Sequence, residues 1–411
     1  MKICGLITEY NPFHNGHIHH MQEARRITGA DYLVVVMSGN YVQRGAPAII
    51  DQYERTRMAL DGGADLVLQL PAAFATCSAE VFATSAINLL HQLGCVDAVC
   101  FGTESGSIEA LEKIAKVLNN EPQSFKIALR EYIKTGVNFP TARAMALEDT
   151  LRDSVDDLSE LLEKPNNILG IEYLRALYRL RSEIKPYGIR RWKTDYLSEK
   201  LYDDVASATA IRKAIYMEKP IESIAPFVTP YTAKVFAEKK NVSMPVRAND
   251  FSMLLQYRLE TEVNHLEDYV DFAPELRERV KKYLPGVYKF NDWIDVLNTR
   301  TFTYARIARA LFHLLLDIRE DDLKEYAEED YCMYARMLGF RSDAAPLLSR
   351  IKGNTALPII SKMADAEKAL SPAGKKLLLN DVASSNIYRN VVFQKFGTLL
   401  RDDYTAGIIK L

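Results

Sequence analysis

Along the first hundred residues the apolar positions switch repeatedly between two periods. Lys2 to Ile7, Tyr32 to Met37 (YLVVVM), Asp65 to Leu70 (DLVLQL) and Val96 to Phe101 (VDAVCF) are short apolar runs of strand length. Between them the spacing is helical: first Ile18, Met21, Ala24 and Ile27, then about Asp51 to Leu60 before Gly62-Gly63, then Ser78 to Leu93 before Gly94. Strict alternation of strand and helix predicts an α/β fold, a right-handed, doubly wound parallel sheet with ligands at the carboxyl ends of its strands. Residues 107–184 read as two or three inserted helices, interrupted at Asn138-Phe139-Pro140 and Lys164-Pro165-Asn166-Asn167. The stretch Ile184 to Trp192 then supplies a last strand, and Ser207 caps a further helix.

Pro220, Pro226, Pro230 and Pro245 next break the chain repeatedly, which places a domain boundary there. The expected division is a nucleotide-binding domain over 1–225 and a helical domain over 246–411, where almost every segment from Phe251 on reads as an amphipathic helix. In that half Gly339, among others, reads as a turn.

Composition narrows the class without naming an activity. The 411 residues are 48% apolar and 26% charged, too long for one ordinary core and typical of a soluble protein. No apolar run approaches the ~20 residues of a membrane span, so no membrane partner is expected, and the first residues read as a strand rather than a signal peptide. Cys4, Cys77, Cys95, Cys100 and Cys332 are scattered without a CxxC pair, which points to a reduced, cytoplasmic protein. A net charge of −2 argues against general coating of nucleic acid; RNA contact requires a local basic patch.

Candidate chemistry concentrates at the exit of the first strand, in GLITEYNPFHNGHIHH. Asn11-Pro12 starts a turn, and a helix beginning near Gly16 aims its free amides and positive dipole end into the loop, as an anion site requires. His14, His17, His19 and His20 are four of the chain's seven histidines, with His14 and His17 flanking Asn15-Gly16 as HxGH. Imidazoles at such a turn can hold a triphosphate and stabilise a departing pyrophosphate. A metal site is the competing interpretation, although no cysteine or further histidine block completes a zinc shell.

HNGH at the end of a first strand resembles the signature of HIGH-type nucleotidyltransferases and class I synthetases, and GLITEYNPFHNGH is similar to one branch, the tRNA(Met) cytidine acetate ligase family. The resemblance implies a Rossmann-like nucleotidyltransferase domain that activates acetate with ATP, with Mg²⁺ as companion, and acetylates the wobble cytidine of elongator tRNA(Met) to N(4)-acetylcytidine. It implies nucleotide contacts along Ile7, Thr8, Glu9, Tyr10, Asn11, Pro12, Phe13, His14, Asn15, Gly16, His17 and His20. His14 and His17 are the expected catalytic pair, joined by Arg44 in the loop Ser38 to Gly45, which faces either the triphosphate or the small carboxylate. Gly102, after the fourth strand, suits close backbone approach to ATP.

Ser207-Ala208-Thr209-Ala210-Ile211-Arg212 is similar to the family's second phosphate motif, with Ser207, Thr209 and Arg212 on the phosphates. Asn167, with Asn166 as the alternative, matches a nucleotide-contacting asparagine. Arg190 and Arg191 close the set, but the block after them departs from the family pattern. In the helical half, Arg306, Arg309 and His313 share one helical face opposite Ile307, Leu311, Leu314 and Leu315. That face is either solvated or a stripe for tRNA. A small-molecule nucleotidyltransferase that needs no RNA is the rival function, and it leaves the large second half unexplained.

Overall fold

A computed structural model describes residues 1–411 apart from 105–106, 138, 153, 156, 191–205, 300 and 367. Its strands are β1 (Ile3–Thr8), β2 (Tyr32–Ser38), β3 (Tyr41–Val42), β4 (Ala46–Pro47), β5 (Leu66–Leu70), β6 (Ala98–Thr103), β7 (Lys185–Arg190), β8 (Ala335–Phe340), β9 (Ile359–Ile360) and β10 (Ile409–Lys410). The main sheet runs β10-β8-β5-β2-β1-β6-β7, with β9 beside β8, while β3 and β4 form a separate hairpin. From β5 to β7 every neighbour is parallel, in register Gly5 with Val34 on one side and Gly5 with Val99 on the other.

Strand periodicity sends alternate side chains to opposite faces. Val34 and Val36 enter one core; Leu33, Val35 and Met37 enter the other. This is the doubly wound arrangement expected from the sequence, and the predicted strands and helix ends fall within a few residues of those observed. Gly29 closes the helix Asn15–Thr28 at φ 66°, and Asp51 and Ser78 cap the next two long helices.

The second half, expected to be almost entirely helical, also contributes strands. β8, β9 and β10 all join the main sheet, and β8 lies antiparallel to β5, pairing Leu66 with Phe340. Six residues, ARMLGF, are too few to show a strand period, and the arginine inside them suppresses an apolar run. Gly339 is a strand residue, not a turn. A Cβ there would lie 2.8 Å from Thr56 Cγ2 and 2.9 Å from Leu60 Cδ1, so its absence lets the helix Gln52–Asp61 seat on β8.

Apolar packing is also shared between the halves. Tyr41, buried in the β3 hairpin, packs its ring 5.7 Å from Phe312, 6.0 Å from Phe251 and 6.1 Å from Tyr388, and its hydroxyl donates to Ser384 O at 2.9 Å. Among the described residues no helix is long and apolar enough to cross a membrane.

Candidate active site

At the carboxyl ends of β1, β6 and β7 a cavity of about 280 Å³ opens between the first loop, the β3-β4 hairpin and the start of the helix Ala208–Tyr216. Its polar side carries His14, His17, Arg44 and Arg212; its apolar side carries Phe82, Phe101, Leu169 and Tyr173. Polar groups converging beside a dry wall suit a ligand with a charged end and an apolar end.

The two histidines build the helix start themselves. His14 is the N-cap of Asn15–Thr28: its Nδ1 accepts from Gly16 N at 3.0 Å, while its own N–H donates to His17 Nδ1 at 3.2 Å. The exchange is a capping box in which imidazoles replace the usual hydroxyl and carboxylate. A neutral imidazole whose Nδ1 accepts a backbone hydrogen bond carries its proton on Nε2, so each ring keeps one donor. The rings stack at 3.8 Å and 28°, with Tyr10 edge-on to His17 at 4.7 Å. At Gly16 a Cβ would lie 2.8 Å from His14 Cε1; glycine is what lets the ring fold back over its own helix.

This corrects one expectation. The sequence suggested free first-turn amides as the anion donors, but Gly16 N goes to the His14 ring and His17 N goes to His14 O at 2.8 Å. Those two amides are engaged within the cap itself.

The separate motifs meet. Ser207 caps the helix Ala208–Tyr216 by accepting from Ala210 N, and Arg212, one turn in, donates to Asn11 O at 2.6 Å and to Thr209 Oγ1 at 3.1 Å. The second phosphate motif is thus tied to the first loop. Glu9 Oε1 accepts from Gln43 N at 3.0 Å and holds the arginine-bearing hairpin to the same loop. Ile7, Thr8, Glu9, Tyr10, Asn11, His20, Gly102, Arg190, Ser207 and Thr209 also line the cavity.

Some expected residues stand behind its wall. Phe13 is buried against Gly62, and Asn15 turns away to donate to Pro226 O at 2.9 Å. Pro12 is not among the lining residues either. Asn166 reaches the cavity, whereas Asn167 is buried beneath it, accepting from Glu104 N at 3.1 Å and donating its N–H to Glu104 Oε2 at 3.0 Å. Arg191 lies outside the described residues.

The expected cationic stripe is divided by packing. His313 is fully buried, its ring nitrogens facing Val270 O and Thr76 O, because the helix Tyr304–Leu315 is covered on both sides. Arg309 is 13% exposed and paired with Asp271 at 2.9 Å; Arg306 is 38% exposed, with its guanidinium 5.2 Å from the Phe302 ring centroid.

Arg55 was missed in the sequence. Fully buried, it donates to Glu9 O at 2.7 Å, Ser38 O at 3.0 Å and Ile50 O at 3.2 Å, and also to Gly39 O. One cation thereby fixes the loops after β1 and β2, and burial lowers its pKa to about 10. The available signal was a charge in register with Met58 and Ala59 on the core side of its helix.

Gly45 closes the hairpin at φ +70°, where a Cβ would lie 2.8 Å from Arg309 Cα and closer still to the Arg309 and Ala308 backbone. Left-handed geometry alone costs a non-glycine residue about 1–2 kcal/mol. Gly45→Ala is therefore expected to lower the urea midpoint and to slow any reaction that depends on Arg44. Wild-type values for both would show that the hairpin does not need this close approach.

Among the described residues no group of three or more His, Cys, Asp or Glu is placed to hold a metal ion.

Parallel strands ordered around β1, with HxGH capping the first helix and a second helix start facing it, define a HIGH-type nucleotidyltransferase; the HIGH Nucleotidyl Transferase family model matches residues 1–401. The chain is 36% identical to the tRNA(Met) cytidine acetate ligase of Acetivibrio thermocellus and 39% identical to that of Caldanaerobacter subterraneus subsp. tengcongensis, with 100% of each chain covered. It superposes on crystal structures of Thermotoga maritima TmcAL, apo (TM-score 0.94, 29% identity) and bound with alpha-thio ATP (TM-score 0.90, 30% identity), again covering 100% of both chains. It belongs to the tRNA(Met) cytidine acetate ligase family.

Proposed function

We propose that this enzyme activates acetate with ATP and transfers the acetyl group to the N4 amine of the wobble cytidine of elongator tRNA(Met), in the cytoplasm. The observation that carries the reading is the reciprocal His14–His17 cap tied through Asn11 to Arg212, which sets two imidazole donors and a guanidinium around one cavity.

In the first step a carboxylate oxygen of acetate attacks the α-phosphorus in line. The new O–P bond forms as the Pα–O bond to pyrophosphate breaks, giving acetyl-adenylate. The nucleophile is already an anion and the leaving group spreads its charge, so positioning and neutralisation suffice. His14 and His17 donate through Nε2–H to the phosphates, and Arg212 with Ser207 and Thr209 receives the departing pyrophosphate. Arg44, half-buried in the hairpin, faces the same charge. Mg²⁺ would enter with the nucleotide on its phosphates; no step here runs through a protein-bound metal.

In the second step the exocyclic amine of cytidine attacks the acyl carbon. It loses a proton, and AMP leaves with both C–O bonding electrons. The RNA approaches over the helix Tyr304–Leu315, where Arg306 and Arg309 share Asp271 at 3.9 and 2.9 Å and Arg306 is the more exposed cation.

The test is incubation with ATP, radiolabelled acetate and bulk tRNA. Acetate-dependent ATP–pyrophosphate exchange is expected without RNA, and label is expected in RNA as acetylcytidine. Label confined to a soluble adenylate would instead indicate a small-molecule nucleotidyltransferase.

A further inference from the structure

Beside the cavity, on the helix packed against its hairpin wall, stands an aromatic residue that the activation step does not use. Tyr304 is the first residue of the helix Tyr304–Leu315 and is 55% exposed, although a phenol of its size is usually half or more covered. Its helix is held against the cavity by the Gly45 contact, in which the backbones of Arg309 and Ala308 meet the hairpin that presents Arg44, Ala46 and Pro47 to the cavity. Tyr216 and Arg212 line the same cavity.

The hydroxyl end of Tyr304 feels this surrounding. Burial raises its pKa while the guanidinium charges of Arg44 and Arg212 pull it back, and it in turn acts on the Tyr216 phenol. The exposed ring therefore lies within electrostatic reach of two arginines that line the cavity.

Resting on the reading above, we propose that Tyr304 is the stacking platform that positions the acceptor pyrimidine of the RNA over the cavity mouth, so that its exocyclic amine meets the activated acyl carbon. Single-stranded bases are taken up by stacking on aromatic faces, and every base offers such a face. A wobble base has no partner strand to hold it flat. A ring fixed at the mouth supplies the missing plane, and Arg306, on the same helix and 38% exposed, offers a cation to a flanking phosphate.

The test compares the full-length enzyme with Tyr304→Ala and Tyr304→Phe, using ATP, acetate and bulk tRNA. Tyr304→Ala is expected to lower acetyl transfer by roughly 10- to 100-fold, the range carried by a base–aromatic stack. The loss should appear in kcat more than in KM, because phosphate contacts dominate RNA affinity. Acetate-dependent exchange should stay within about twofold of wild type, and Tyr304→Phe, which keeps the ring, should restore transfer. Unchanged transfer in Tyr304→Ala overturns the proposal, as does a Tyr304→Phe variant as slow as the alanine, or exchange falling in parallel with transfer. If the wild-type enzyme exchanges pyrophosphate but labels no RNA, it is the functional reading that fails.

Discussion

Replacing His14 by asparagine, or His17 by alanine, is expected to lower acetate-dependent ATP–pyrophosphate exchange by about 100-fold or more while leaving the protein folded. Each ring spends Nδ1 on a backbone amide and keeps Nε2–H as its donor. Loss of one preorganised donor to developing charge typically costs ~3–4 kcal/mol in the transition state. Asparagine separates this from helix capping, since it is among the best N-cap residues and can replace the bond to Gly16 N. His14→Ala loses both functions and should add ~1 kcal/mol of lost stability to the same kinetic defect. Stopped assays of exchange, beside urea melts of each variant, make the comparison. Exchange near the wild-type rate in both His14→Asn and His17→Ala would remove the pair from the chemistry.

The largest effect on stability is expected from Arg336→Met. Arg336 lies in β8, almost fully buried, with Asp403 Oδ1 at 3.0 Å, Asp381 Oδ2 at 3.4 Å and the Tyr53 hydroxyl at 3.1 Å. Asp381 in turn accepts from Gln69 Nε2 at 2.6 Å and Ala72 N at 2.9 Å, and Asp403 accepts from the Tyr53 hydroxyl at 2.8 Å. One guanidinium thus joins β5, β8, the helix Gln52–Asp61, the helix Pro372–Phe396 and the C-terminal segment. Methionine fills the volume but leaves two carboxylates buried without a cation, which typically costs ~3–5 kcal/mol.

The loss has a pH sign. Burial already pushes Asp381 up to about 6 against the attraction of Arg336, so the folded state holds its proton more tightly than the unfolded chain does. A carboxylate with a raised folded pKa costs stability progressively as pH rises from its unfolded value through the folded one. Without Arg336 that pKa rises further, and the destabilisation should be greater at pH 8 than at pH 5. Adding Asp381→Asn to Arg336→Met should recover part of the lost stability. Urea midpoints at the two pH values measure this; a midpoint unmoved in Arg336→Met would show that the network contributes nothing.

The same residues show how far the sequence could be read. β1, β2, β5 and β6 are parallel strands buried on both faces, so they appear as unbroken apolar runs that need no knowledge of their neighbours. Gly16, the histidines and Ser207 act within a few residues of their own position, and their local chemistry was visible as motif and cap. Even there only coordinates show that the amides of Gly16 and His17 are taken up by His14. The sequence favoured Asn167 over Asn166, whereas Asn166 is the one that lines the cavity, since neighbours in a helix point about 100° apart and only packing shows which one faces it.

The sequence by itself determined the five-stranded parallel centre, the helix starts that face its carboxyl edge and the family to which they belong. What only the tertiary structure decided is everything that depends on pairing across long separations. β8 meets β5, Arg55 gathers carbonyls from two loops, Arg309 is withdrawn by Asp271, and the helix of Tyr304 is held beside the cavity by a contact at Gly45. The Gly45 contact is made to the backbone of Ala308 and Arg309, and none of these long-range contacts leaves a period in the chain. Their free energy comes from burying or pairing groups whose partners are set by the fold, so a buried arginine and a solvated one look alike until the sheet that covers the first has formed.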